Sequence, residues 1–189
     1  ATPASGPTRD DAAALGEAAP TATTQRTPLR APASAQEFVS RVQDDAKAAE
    51  AATGIPAAFM IAQAAHETGW GRKHIKMADG SNSFNLFGIK AGGSWKGATT
   101  EITTTEVIDG KAQKVKAKFR AYSSYEESFK DYAKLMQDSP RYQGVMANAK
   151  SAEGFAQGLQ RAGYATDPQY ANKLSKVINT TLRLQRALT

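Results

Sequence analysis

The chain has 189 residues, 41% apolar and 22% charged, with 24 Lys and Arg against 18 Asp and Glu and no cysteine. Such a length gives one domain with room for an appendage, and the missing cysteines exclude a disulfide scaffold, a thiolate nucleophile and a cysteine-ligated metal. No apolar run approaches the ~18 residues of a membrane span, so no membrane partner is expected. The chain begins with Ala and shows no signal core, so a processed product or a piece of a longer chain is expected.

Residues 1–34 hold no Phe, Tyr, Trp, Ile, Val or Met, and Pro3, Pro7, Pro20, Pro28 and Pro32 lie among Ala, Thr and Ser. Such a stretch buries too little to offset about 1–2 kcal/mol of backbone entropy per residue. It reads as a disordered Ala/Pro/Thr-rich linker, and residues 35–189 as a folded domain of about 155 residues, enough for one core. Arg9, Arg26 and Arg30 balance Asp10, Asp11 and Glu17, so the whole +6 net charge belongs to the domain.

Ser34 and Glu37 form a capping-box pattern ahead of a helical stripe of Phe38, Val42, Ala46 and Ala49. Pro56 suits the first turn of a second helix, Ala57 to about Thr68, which is apolar nearly all round, as a buried central helix is. Gly69 is placed to end it. Residues 71–100 are rich in Gly, Asn and Ser. A β-rich run, Asp109-Gly110 and an alternating Lys114–Phe119 run then signal a hairpin. Further helices follow: one capped by Ser123 or Ser124 with Tyr125, Phe129, Tyr132 and Met136; one from Ser151 with Phe155, Leu159 and Ala162; and a last opened by Asp167-Pro168. About five or six helices around one hairpin make an α+β domain.

The densest chemical signal is Ala64-Ala65-His66-Glu67-Thr68-Gly69-Trp70-Gly71. At the end of an apolar helix, the last carbonyls and the scarcity of water around Glu67 both disfavour its anion. They favour the protonated form that general-acid catalysis requires. A Glu facing solvent at a helix end is the bland alternative. His66 and His74 are the only histidines, and Trp70 stands where a zincin would place its second His, so no metal site is expected. No Ser-His-Asp elbow or phosphate loop accompanies them, and no cofactor is expected.

A two-residue Asp109-Gly110 turn pairs Ile102 with Ala117, Thr104 with Val115 and Glu106 with Gln113 on the less polar face. Glu101 falls opposite Lys118 on the charged face, a cross-strand ion pair. Glu106 is therefore the acid that points with the apolar residues, towards a core or cleft. An edge charge placed against aggregation is the alternative. Tyr122, Tyr164 and Tyr170 could line a groove, since sugar faces stack on rings whose hydroxyls hydrogen-bond. Tyr164 follows Gly163 between two helices and so lies on a loop.

Five segments in order carry a resemblance over roughly residues 35–185: Ala64–Gly71; Asn85-Leu-Phe-Gly-Ile-Lys90; Phe119-Arg-Ala-Tyr122 before a Ser-x-x-Glu helix; Gly163–Pro168; and Tyr170-Ala-x-Lys-Leu174. The set resembles glycoside hydrolase family 73, the peptidoglycan N-acetylglucosaminidases, and among them the wall-hydrolase domains of flagellar rod assembly. The resemblance implies a lysozyme-like fold, a mainly helical lobe and a small β-hairpin lobe with a cleft between. It implies Glu67 as general acid, Glu106 as the second glutamate and Tyr164 near the cleaved bond. Trp70, Asn85, Phe87 and Tyr122 then line or support the cleft, with Tyr170 beside them in substrate binding. Thr68 stands where the family often has Ser.

The expected activity is hydrolysis of the β-1,4 bond between N-acetylglucosamine and N-acetylmuramic acid, locally opening the wall for the flagellar rod. The rivals are a lytic transglycosylase of the same fold and a non-catalytic wall-binding or flagellar scaffold domain. Glycan strands and flagellar rod proteins are the expected partners, in the bacterial periplasm and as a monomer. The net charge suits an acidic wall. Nucleic acid is not expected, because the lysines of 111–118 alternate on a hairpin with only Phe119 and Tyr122 close by.

Overall fold

The computed structural model describes residues 32–189. Ser34 caps helix α1 (Ala35–Thr53), its hydroxyl accepting from the Glu37 amide at 3.1 Å. The Glu37 carboxylate reaches back to accept from the Ala33 amide at 2.7 Å, one residue before the cap. Phe38, Val39, Val42, Ala46 and Ala49 form its buried stripe. Helix α2 (Ala57–Thr68) buries Ala57 through Ala65 without a break and ends at Gly69, whose φ of 56° only glycine adopts without strain. Each large apolar side chain so enclosed contributes about 1.5–3 kcal/mol.

Strands β1 (Thr99–Ile108) and β2 (Lys111–Arg120) form a two-stranded antiparallel sheet. Asp109 and Gly110 have φ of 51° and 76°, the left-handed pair that a two-residue hairpin turn demands. The register is the expected one: Ile102 faces Ala117, Thr104 faces Val115, Glu106 faces Gln113 and Glu101 faces Lys118. One detail differs. The ion partner of Glu101 is the diagonal Lys116, at 3.9 Å, rather than Lys118 directly opposite. Long lysine stems reach diagonal neighbours easily.

Helix α3 (Tyr125–Asp138) is capped by Ser124 and α5 (Ala152–Arg161) by Ser151, and α6 (Tyr170–Ala187) closes the domain. A 3₁₀ turn (Pro140–Tyr142) and the short helix α4 (Gln143–Ala147) were not anticipated; at three and five residues they are too short to carry a period. The last helix starts at Tyr170, later than Asp167-Pro168. Asp167 instead folds a turn, accepting from the Gln169 amide at 2.8 Å and holding Lys173 at 2.6 Å.

Helix α2 lies at the centre, packed on α1 and α6, with α5 on α6 and α3 on α1. This is an α+β domain of six helices around one hairpin among the described residues. None of its helices is long and apolar enough to cross a membrane. The disordered linker expected over residues 1–34 lies outside the described residues except for its end. There Pro32 is buried, close against Gly71.

Candidate active site

Glu67 sits in the last turn of α2, half-buried, one turn after the fully buried Gln63. Behind it stands Tyr132 of α3, whose hydroxyl donates to the side-chain oxygen of Gln63. Burial pushes the Tyr132 hydroxyl well above its usual range, and the charges of Tyr170, Tyr142 and Glu67 push the same way. Thr68 locks the helix end: its hydroxyl donates to the Ala64 carbonyl at 2.7 Å and accepts from the Gly71 amide at 2.9 Å. Trp70, half-buried, takes a φ of 59° and meets Phe38 edge-on at 6.3 Å. A bulky residue in the left-handed region is the kind of strain found at functional sites.

The Asn85–Lys90 turn connects this helix end to the hairpin. Phe87 stacks on Tyr132 with ring centroids 4.0 Å apart, and its carbonyl accepts from the Tyr164 hydroxyl at 2.5 Å. Asn85 organises the turn from within. Its oxygen accepts from the Phe87 and Ile89 amides, and its nitrogen donates to the Ile89 and Arg120 carbonyls. Beyond it the chain runs beside β2, with Arg120 donating from its amide to the Ile89 carbonyl and Ala91 donating to the Lys118 carbonyl.

Glu106 lies on the inward face of β1, a quarter exposed, with Oε1 3.8 Å from Nζ of Lys90. The outward residues of its strand, such as Thr103 and Thr105, are exposed. At the hairpin root a second polar cluster is buried. Asp131 accepts from Arg120 Nη1 at 2.8 Å and from the Tyr122 hydroxyl at 2.5 Å. The Arg120 guanidinium lies over the Trp95 ring, 4.4 Å from its centroid. Its Nε donates to the Lys90 carbonyl at 3.2 Å. Burial, and next the charge of Asp131, push the Tyr122 hydroxyl well up.

Trp70 is the one half-exposed residue among those expected to bind substrate. Asn85, Phe87, Tyr122 and Tyr170 are at most 2% exposed and act as framework in this conformation. Tyr164 is on a loop as expected, but fully buried, with its hydroxyl on Phe87. Sequence reasoning missed Lys90, the Arg120–Asp131 pair and the Gln63–Tyr132 pair. A buried-helix glutamine one turn before Glu67 was the signal available for the last. Half-exposed Phe84, with a φ of 60° and Tyr125 edge-on at 5.0 Å, is a further aromatic surface. Among the described residues no group of His, Asp or Glu could hold a metal ion.

An apolar helix with a glutamate in its last turn and a hairpin with a second on its inward face offer two carboxylates, the kind of group that glycosidases use. Residues 43–183 match the family model described as glucosaminidase, mannosyl-glycoprotein endo-beta-N-acetylglucosaminidase. The chain belongs to this family: it is a glycoside hydrolase. It is 51% identical over 147 residues to the peptidoglycan hydrolase FlgJ of Escherichia coli K12, covering 78% of this chain and 47% of that protein. It therefore spans about half the length of that relative. A peptidoglycan hydrolase mutant from Sphingomonas sp. A1 superposes with a TM-score of 0.74 at 45% identity, covering 80% of this chain and 99% of that one. A C-terminally truncated glycoside hydrolase domain of Salmonella typhimurium FlgJ gives 0.68 at 48% identity, covering 79% and 99%.

Proposed function

We propose that this chain cleaves the β-1,4 bond between N-acetylglucosamine and N-acetylmuramic acid within glycan strands, with Glu67 as the acid that protonates the departing glycosidic oxygen. The observation that carries this reading is the Asn85–Lys90 turn. Phe87 within it stacks on Tyr132, which bonds Gln63 one helical turn before Glu67, and Lys90 at its end faces Glu106. Two carboxylates served by one rigid turn suit a reaction that needs a proton donor on one side of the bond and a negative charge on the other.

Glu106 then activates the water that attacks the anomeric carbon. If the substrate's own 2-acetamido oxygen attacks first, Glu106 stabilises the cation that forms. Trp70, with Phe84 and Tyr125, supplies apolar ring surface for sugar faces. Tyr164 contributes by holding the Phe87 carbonyl, and Asn85, Tyr122 and Tyr170 by keeping the walls rigid. The +6 charge draws the domain to anionic wall polymers. The FlgJ name of its relatives supports a periplasmic role in opening the wall for the flagellar rod, with rod proteins as partners.

The test is digestion of purified sacculi by the wild type and by Glu67→Gln, with reducing-end assay and mass analysis of the products. Hydrolysis gives new reducing N-acetylglucosamine ends, and Glu67→Gln abolishes them. Anhydro-muramyl products would instead identify a lytic transglycosylase, and binding without release a wall-binding domain.

A further inference from the structure

We propose that Lys90 is a positioning residue for Glu106, holding the hairpin carboxylate at the site by a charge anchored in the body of the domain. This rests on the reading of Glu106 as the second carboxylate. The hairpin's register sends Thr100, Ile102, Thr104 and Glu106 to one face and leaves Lys114, Lys116 and Lys118, opposite Thr105, Thr103 and Glu101, on the other. Three of the hairpin's four lysines therefore lie on the face away from Glu106, and the fourth, Lys111 opposite Ile108, falls on its face but is exposed at the turn. The cation 3.8 Å from it comes from outside the hairpin, and the Lys90 side chain is only 16% exposed.

The backbone carrying that cation is held on both sides. The Lys90 carbonyl accepts from Arg120 Nε, the neighbouring Ile89 carbonyl accepts from Asn85 and from the Arg120 amide, and the Ala91 amide donates to Lys118. Arg120 in turn is fixed by Asp131 of α3. A hairpin of two ten-residue strands has little of its own to keep it still, and a carboxylate near its tip follows every swing. The contact at 3.8 Å is too long for a hydrogen bond. It is a charge contact in a half-buried place, where attraction exceeds its worth in bulk water. It limits that swing and keeps the carboxylate turned towards the reacting bond.

The experiment is a double-mutant cycle on the intact chain, with kcat and KM read from reducing ends released from purified peptidoglycan and folding checked by thermal melts. Lys90→Met is expected to lower kcat about tenfold, a fraction of what a positioned acid or base supplies, with KM within about twofold. Lys90→Arg keeps the charge and restores most of the loss. In a Glu106→Gln background Lys90→Met costs nothing more, because there is no carboxylate left to hold. The same full loss in that background, a rise in KM alone, no loss at all, or a Glu106→Gln enzyme as fast as wild type would each overturn the assignment. If Lys90→Met melts early, Lys90→Gln replaces it in the cycle. Full activity in Glu67→Gln, measured alongside, would overturn the glycosidase mechanism itself and is a separate outcome.

Discussion

Tyr164 and Phe87, 77 positions apart, are joined by a 2.5 Å hydrogen bond from the tyrosine hydroxyl to the phenylalanine carbonyl. Both residues are fully buried, and Tyr164 also lies parallel to Tyr170 at 6.3 Å, while Tyr170 meets His66 edge-on at 5.4 Å. The loop between α5 and α6 thereby fixes the turn that stacks on Tyr132. Deleting this one hydroxyl tests whether the site depends on that brace.

Tyr164→Phe keeps the ring and leaves the Phe87 carbonyl without this donor. A buried acceptor so treated costs about 1–3 kcal/mol. The expected outcome is a melting temperature lower by about 2–12 °C, on the scale for a domain of this size, together with reduced turnover because the turn loosens. Loss of turnover with an unchanged melt would instead place the hydroxyl at the reacting bond.

Gly71 closes the Gly-Trp-Gly exit of α2 with a φ of 83°, and a Cβ there would lie 2.7 Å from Phe38 Cδ1 and 2.9 Å from Pro32 Cγ. Gly71→Ala therefore combines an unfavourable backbone region with overpacking of the α1 stripe, each about 1–3 kcal/mol. Urea unfolding should show a loss of about 2–6 kcal/mol. Gly80→Ala, at a φ of 87° but with open space around it, should lose only about 1 kcal/mol.

What could be read in advance divides by the range of the interaction. The capping serines, the end of α2 at Gly69 and the hairpin register follow from side chains acting on backbone a few residues away, and these are written in the chain. The facing of Glu106 came from turn chemistry alone, since Asp109-Gly110 admits one register when both residues are left-handed. The pairs that support the site are long-range. Tyr132 with Gln63, Arg120 with Asp131 and Glu106 with Lys90 have no period or motif that joins their members. A tyrosine that stacks on a sugar and one that braces a loop also look alike in sequence. Only burial separates them, and it puts Tyr122, Tyr164 and Tyr170 in the second group in this conformation.

Asp131 accepts from both Arg120 and Tyr122 at the hairpin root, and Arg120 is 2% exposed. Asp131→Asn keeps the shape but leaves a buried guanidinium without its counter-charge. Breaking buried pairs from one side costs about 3–5 kcal/mol, and the partly exposed Asp131 side chain brings the expectation to about 2–3 kcal/mol. The hairpin root should loosen before the helices do, so amide exchange at Ile89 and Arg120 should rise more than in α2. Equal change in both would show that the cluster serves the whole core rather than the hairpin.

Asp45 offers a test of sign. Burial in α1 raises its carboxyl above the ordinary range, Glu126 and Asp44 raise it further, and Lys130 opposes them. A group that holds its proton more tightly in the folded chain than in the unfolded one favours folding in acid, and that contribution is lost as pH rises through its folded value. At neutral pH the ionised Asp45 therefore destabilises the fold, and Asp45→Asn relieves it. The variant should melt about 1–2 °C above wild type at pH 7, a small gain because the side chain is only half-buried. The difference should close below about pH 4, where the aspartate is protonated in both states. A gain that persists undiminished into acid would mean that the amide stabilises by packing or hydrogen bonding, and that the charge at position 45 is not the cause.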